Sequence, residues 1–336
     1  MQYPKFIQNP DTIGVTAPSA GSENELDIKR LELAKSNISK LGYKVKETPN
    51  CRTTNLGRSS SKIDRANQLS DLYLDKEVKC IIGLAGGEFL LEMLSYVNFE
   101  SIKNNIKWIQ GYSDMTGLLF TITTNLDIAT LYANNFRGFA MKEWHKSLKD
   151  NFEILKGHMV TQESFNLYES DRTEKQNGDE NYNLDAKVNW ANLNCENINV
   201  QGRIIGGCLD IILNLVGTKF DKTSEFLAKY KEDGIIWFFD NCELSSEGIV
   251  RAMWQLKEAG YFKYTKAIIF GRSATDRSYY EVSFKEAVQT SLEELNIPII
   301  IDADIGHKPP MMTIINGAIA QIRSSNGAGK IKFLLE

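Results

Sequence analysis

Three side chains in this sequence, Ser113, Asp240 and His307, each stand at or just beyond the end of an apolar run that reads as a β-strand. Ser113 follows "KWIQGY", Asp240 follows "GIIWFF" and His307 follows "IPIIIDADIG". Open α/β sheets gather their ligand-binding groups beyond the carboxyl ends of strands, so three such ends can meet at one site. The chemistry this trio suits is attack on a carbonyl. A free serine hydroxyl is a weak nucleophile until an imidazole takes its proton, and a carboxylate holds that imidazole in the right tautomer and stabilises its charged form. The chain order of serine, acid, histidine is that of α/β-hydrolases. In "IQGYSDMTG" the serine sits on a sharp strand-to-helix bend, which lifts its side chain out of the sheet and exposes the first N–H groups of the helix. The N–H of Asp114, with that of Gly87 or its neighbour Gly86 in "AGGE", would supply the two donors of an oxyanion site, and glycine lets backbone come close to a substrate. Each feature also has an ordinary structural reading. Serine or aspartate commonly caps a helix, "AGGE" is a turn, a strand-end acid is usually solvated, and "GHKPP" is a rigid loop. Residue types and spacing alone lead to a hydrolase and no further.

Around these positions, the first half alternates strand and helix patterns. "TIGVTAP" is a short apolar strand, followed by a helix for which Ser22 and Glu25 fit a capping box and Gly42 a stop. "YKVKET" alternates like an edge strand, residues 63–74 read as a helix, and "VKCIIGLAGG" reads as a buried strand entering a glycine turn. Residues 115–124 read as a helix and "IATLYA" as a further strand. Such alternation predicts a parallel sheet covered by helices. From 161 to 199 the pattern dissolves into "ESDRTEKQNGDENYNLD", which reads as a linker or mobile loop. Order returns at "NVQGRIIGGCLDIILNLVGT", and the strands "GIIWFFD", "KAIIFGR", "IPIIIDA" and a closing pair ending in "KIKFLLE" make a mixed α/β unit. The expected organisation is an N-terminal nucleophile-bearing α/β domain over 1–160, the linker 161–199, and a C-terminal domain over 200–336 carrying the acid and the histidine.

The composition excludes several function classes. The chain has 336 residues, 42% hydrophobic and 24% charged, with net charge −4, which is ordinary globular composition. No Lys/Arg stripe is visible, so nucleic acid is not an expected partner. No stretch is long and apolar enough for a membrane span, and "MQYPKFIQNPDTIGV" lacks the apolar run of a signal peptide, so a cytoplasmic protein is expected. The five cysteines, Cys51, Cys80, Cys195, Cys208 and Cys242, form no C-x-x-C pair and read as reduced, mostly buried thiols. With three histidines, a His-rich metal site is not expected, and His145 and His158 read as solvated surface.

Together these segments resemble the serine LD-carboxypeptidase family, which includes the microcin C immunity peptidases. The resemblance is carried by "TIGVTAPSA", "GLAGGEFLLEMLSYVNF", "WIQGYSDMTGLL", "GRIIGGCLDIILNLVGTKF", "GIIWFFDNCELSSEGIVRAMWQLKEAGYF" with "AIIFGR", and "DIGHKPPMMTIINGA". It implies a flavodoxin-like or Rossmann-like parallel-sheet N-terminal domain and a mixed, β-rich α/β C-terminal domain. It also implies a cytosolic homodimer that uses no metal or cofactor and acts on a small peptide or peptidyl-nucleotide. Family roles fall on Ser113 as nucleophile, His307 as general base, and the N–H groups of Gly87 and Asp114 as oxyanion donors. The family's acid is a glutamate where this chain has Asp240, one methylene shorter, and Glu243 is an alternative acid or a substrate contact. Cys208 replaces a usual asparagine and reads as packing rather than as a nucleophile. The implied reaction is removal of the terminal D-alanine of a muropeptide tetrapeptide. A second reading is hydrolysis of aminoacyl-adenylate analogues, for which Trp190 or Tyr182 would stack the base. A third is a ligand-binding module that has lost the reaction.

Overall fold

The computed structural model describes residues 1–335 except 172 and 175. Its strands, in chain order, are β1 (Thr12–Thr16), β2 (Lys44–Glu47), β3 (Val78–Gly83), β4 (Trp108–Gly111), β5 (Thr130–Tyr132), β6 (Gln162–Glu163), β7 (Leu167–Tyr168), β8 (Ala186–Lys187), β9 (Ala191–Asn192), β10 (Ile198–Cys208), β11 (Ile235–Asp240), β12 (Thr265–Gly271), β13 (Ile299–Ala303), β14 (Ile314–Asn316), β15 (Ile319–Ser325) and β16 (Ala328–Leu334).

The first sheet runs β14-β5-β4-β3-β1-β2. Strands β2, β1, β3, β4 and β5 are parallel, and β14 closes the edge antiparallel to β5. Every residue of β1, β4 and β5 is buried, as expected for strands with helices on both faces. The second sheet runs β6-β16-β15-β10-β11-β12-β13-β9. Its centre, β10 to β13, is parallel, and antiparallel strands extend it on either side. β11, "IIWFFD", is wholly buried. A small third sheet pairs β7 with β8. The helix Thr116–Leu126 is apolar nearly all round and buried over its first nine residues, which suits a helix packed on every side. Its Phe120 stacks on Trp237 of β11 with ring centroids 6.2 Å apart, so the two sheets share one hydrophobic core.

Three local expectations change. The helix Glu25–Lys40 is capped by Asn24, whose side chain accepts the Asp27 N–H at 2.9 Å, while Ser22 Oγ instead donates to the Cys51 carbonyl at 2.7 Å. The segment 161–199, read as a linker or mobile loop, carries β6, β7, β8 and β9, with residues 172 and 175 outside the described residues. β6 and β9 cover the two edges of the second sheet, each too short to leave a periodic signal. The chain after 200 does not stay within one unit either, since β14 pairs with β5 of the first sheet before Gly317 turns it back into β15. Residue 336, the last of the expected closing strand, lies outside the described residues.

His145 is also not simply solvated. It is half-buried between the rings of Phe165 and Tyr182, and its Nδ1 accepts the Ser147 N–H at the start of the helix Lys146–Leu155. His158 is exposed, with Nδ1 2.6 Å from Glu153. All five cysteines are free: Cys51, Cys80 and Cys208 are buried, Cys242 is half-buried and Cys195 is exposed. Among the described residues, no helix is long and apolar enough to cross a membrane.

Candidate active site

β4 ends at Gly111, Tyr112 continues extended, and Ser113 adopts a left-handed φ of +63° before the chain enters a short 3-10 turn and the helix at Thr116. A non-glycine residue in that region costs roughly 1–3 kcal/mol and persists only where packing imposes it. The packing comes from Met115. Its side chain fills the space that a Cβ would occupy on Gly83 and on Gly111, where the nearest sulfur or carbon would lie 2.6 Å away. Asn135 Oδ1 accepts the Tyr112 N–H at 3.1 Å and fixes the approach to the bend. The strained turn therefore presents the Ser113 hydroxyl at the sheet edge.

The glycine loop after β3 faces it. A Cβ on Gly86 would lie 3.0 Å from Ser113 Cβ and 3.1 Å from its Oγ, so only glycine leaves room beside the hydroxyl. Gly87 has φ +143°, and a Cβ there would come within 2.9 Å of the Ala20 nitrogen. This loop is tied to the serine turn by the buried Asp114 carboxylate, which accepts from the Ser19 hydroxyl and from the Leu90 N–H at 2.9 Å. Ser19 Oγ in turn accepts the Phe89 N–H at 3.2 Å. The fully buried Arg65 donates to the carbonyls of Pro18 and Phe89 at 2.9 and 2.8 Å. Burial pushes the Asp114 carboxyl up from its ordinary range, against the pull of the Ser19 and Leu90 hydrogen bonds.

The second sheet supplies the other two side chains. Asp240 ends β11, fully buried, and His307 lies four residues beyond β13. His307 Nε2 stands 3.0 Å from Ser113 Oγ, and its Nδ1 stands 2.7 Å from Asp240 Oδ2. Gly306, at φ +93°, packs directly on the Asp240 carboxylate. The loop carrying His307 is clamped by Arg272, which ion-pairs with Asp304 at 2.6 Å and donates to the carbonyls of Lys308 and Pro310, each at 2.9 Å. The Tyr112 ring stands edge-on to the imidazole at 5.1 Å. Burial alone would push His307 down, but the Asp240 charge 2.7 Å away outweighs it and raises its pKa well above 6.5. The arrangement can pass a proton from a hydroxyl to an imidazole backed by a buried carboxylate.

Ser113, Asp240 and His307 thus come together, and Gly86 packs against Ser113 and the Asp114 backbone, with Gly87 next to it in the chain. Glu243 does not join this line. It sits exposed on the turn after β11, where its N–H donates to Asp210 Oδ1 at 3.0 Å, and Asp240 is the carboxylate on His307. Trp190 is corrected outright as a stacking surface. It is 2% exposed, its indole N–H donates to Asp304 Oδ2 at 2.9 Å, and its ring packs where a Gly329 side chain would be. No face is open to a nucleobase. Tyr182 is half-buried against His145. The Cys208 thiol is buried, and burial, with Asp240 and Asp210 nearby, raises its pKa well above the ordinary value, so it stays protonated. Among the described residues, no three His, Cys, Asp or Glu side chains are grouped to hold a metal ion.

Sequence reasoning missed the side chains around this line. Tyr132, at the end of β5, donates its hydroxyl to Asp240 Oδ2 at 2.5 Å. Asp210 accepts the N–H groups of Cys242 and Glu243, each at 3.0 Å, and shapes the turn beyond Asp240. Tyr132, Ser19 and Arg272 all sit at or just past parallel-strand ends, so the rule that found the trio could have found them.

Residues 13–133 match the LD-carboxypeptidase N-terminal domain and residues 201–322 the LD-carboxypeptidase C-terminal domain. The chain belongs to the LD-carboxypeptidase family. It is 27% identical over 340 residues to the putative carboxypeptidase YocD of Bacillus subtilis, covering 98% of each chain. It is 26% identical over 333 residues to the microcin C7 self-immunity protein MccF of Escherichia coli, covering 94% of this chain and 91% of MccF. A solved structure of MccF in complex with aspartyl sulfamoyl adenosine superposes with a TM-score of 0.81 at 21% identity, over 98% of both chains. An MccF-like protein from Bacillus anthracis gives a TM-score of 0.84 at 24% identity, over the full length of both.

Proposed function

We propose that this protein is a serine hydrolase that cleaves a C-terminal amide through an acyl-enzyme. The observation that carries the reading is that one imidazole stands between the other two groups, with His307 Nε2 3.0 Å from Ser113 Oγ and its Nδ1 2.7 Å from Asp240 Oδ2. Ser113 attacks the scissile carbonyl while His307 takes its proton, and Asp240 stabilises the imidazolium. The oxyanion rests on the N–H groups of Gly87 and Asp114, donors of which one alone is typically worth roughly 2.7–4 kcal/mol of barrier. The C–N bond breaks as His307 hands the proton to the leaving amine, and water then releases the acyl group by the same route.

For the substrate, family membership supports the L,D bond to the terminal D-alanine of a muropeptide tetrapeptide. Purified protein incubated with such a tetrapeptide is expected to release free D-alanine, and Ser113→Ala to abolish the release. No release by the wild type across pH 6 to 9 would remove this substrate. The 26% identity to MccF favours a second reading, an aminoacyl-nucleotide amide. Under it, the same incubation with an aspartyl adenylate analogue would yield aspartate while the tetrapeptide stays intact.

A further inference from the structure

The Asp240 oxygen that faces His307 has a second partner, a group that also touches the nucleophile's backbone. Tyr132 is fully buried at the end of β5. Its hydroxyl donates to Asp240 Oδ2 at 2.5 Å, the same oxygen that faces His307 Nδ1. The Tyr132 oxygen also accepts the Ser113 N–H, at a longer 3.4 Å. One hydroxyl therefore spans the two sheets, joining the acid from the second to the strained serine from the first. The ring beneath it is held by Phe238, at 5.3 Å between centroids, and by Tyr112 at 6.3 Å.

We propose that Tyr132 is a positioning residue of the hydrolytic site, fixing the Asp240 carboxylate against His307 and turning the Ser113 amide away from the oxyanion pocket. Two consequences follow. The Ser113 N–H, spent on Tyr132, is not an oxyanion donor, which leaves that work to Gly87 and Asp114. The carboxylate also shares its charge between two donors. A hydrogen bond to an ionised carboxylate stabilises the charged form, so Tyr132 weakens the pull of Asp240 on the imidazolium. The titratable groups around His307 are Asp240, Tyr112, Cys242 and, at the rim, Glu88, and of these Asp240 is the one that loses a hydrogen bond from Tyr132 when that hydroxyl alone is removed.

This inference rests on the hydrolase reading above, so its test uses a probe that needs no substrate. The rate of covalent labelling of Ser113 by a fluorophosphonate is measured from pH 5 to 10 for wild type and Tyr132→Phe, which keeps the ring packing. Hydrogen bonds to charged groups are the strong class, so the variant is expected to label about 10- to 100-fold more slowly. Its acidic limb is expected to move to higher pH, because Asp240 then holds the imidazolium harder. A 3-fluorotyrosine at position 132, a stronger donor of almost the same shape, is expected to move the limb the other way. A merely structural tyrosine would lower the melting temperature and leave the limb in place. Equal rates and the same limb in wild type and Tyr132→Phe overturn the positioning role while the hydrolase stands. No labelling of the wild type overturns the hydrolase reading, and the tyrosine's role with it.

Discussion

Gly306→Ala is the sharpest test of the site's tolerance, because it adds one methyl group that no chemistry requires. A Cβ built on Gly306 lies 2.7 Å from Asp240 Oδ2 and nearer still to Oδ1. Ordinary contact begins at 3.4 Å, so the carboxylate or the His307 loop must retreat by at least about 0.7 Å at Oδ2 and farther at Oδ1. Neither has slack. Asp240 is fully buried at the end of a central strand, and Arg272 pins the loop just beyond His307. The backbone resists as well, because φ at residue 306 is +93°, where an L side chain costs roughly 1–3 kcal/mol. The displacement falls on the contact that orients the general base, where a misplacement of about 1 Å can cost about 10²-fold in rate. The expected result is a kcat reduced by about 100-fold or more, with the melting temperature lowered by only a few degrees and KM little changed. The assay is D-alanine release for kcat and KM, with fluorophosphonate labelling as the substrate-free check and thermal unfolding to confirm the fold. A folded Gly306→Ala protein that labels at the wild-type rate would refute the claim that Asp240 and His307 act as one rigid pair.

Further outcomes follow from the electrostatics. Only the neutral imidazole can accept the Ser113 proton, and Asp240 raises the His307 pKa well above 6.5, so kcat/KM is expected to climb with pH through an acidic limb above 6.5. Asp240→Asn removes the charge that raises it. The limb is then expected to fall toward or below 6.5 and activity to drop by about 10⁴-fold as the tautomer is lost, and an unmoved limb would contradict the assignment. Arg272 and Asp304 are 4% and 0% exposed, so Arg272→Met leaves a buried carboxylate without its cation and is expected to cost roughly 3–5 kcal/mol in urea unfolding. Arg272→Lys is expected to recover only part of this, since an ammonium cannot fork to the Lys308 and Pro310 carbonyls while holding Asp304.

Much of the fold was legible because it is written locally. The apolar runs that become β1, β3, β4, β11 and β13 announce buried parallel strands, and the bend at Ser113 is marked by the residues immediately around it. What the chain does over two residues at a sheet edge left no such mark. β6 and β9 lie in a polar stretch, and they are strands only because the second sheet offers them an open edge. β14 likewise returns to the first sheet because β5 has a free side, which no local pattern records.

The candidate site divides the same way. Sequence alone determined which residue types stand at strand ends, and hence that Ser113, Asp240 and His307 each occupy a position from which a site can be built. Tertiary structure decided between Asp240 and Glu243, buried Trp190 against Asp304, and set Tyr132 between the acid and the serine. The physical reason is range. Strand and helix patterns arise from neighbours a few positions apart, whereas the contacts that orient a proton path join residues more than a hundred positions apart, such as Tyr132 with Asp240 and Ser113 with His307. Their geometry exists only once both sheets have packed against one core.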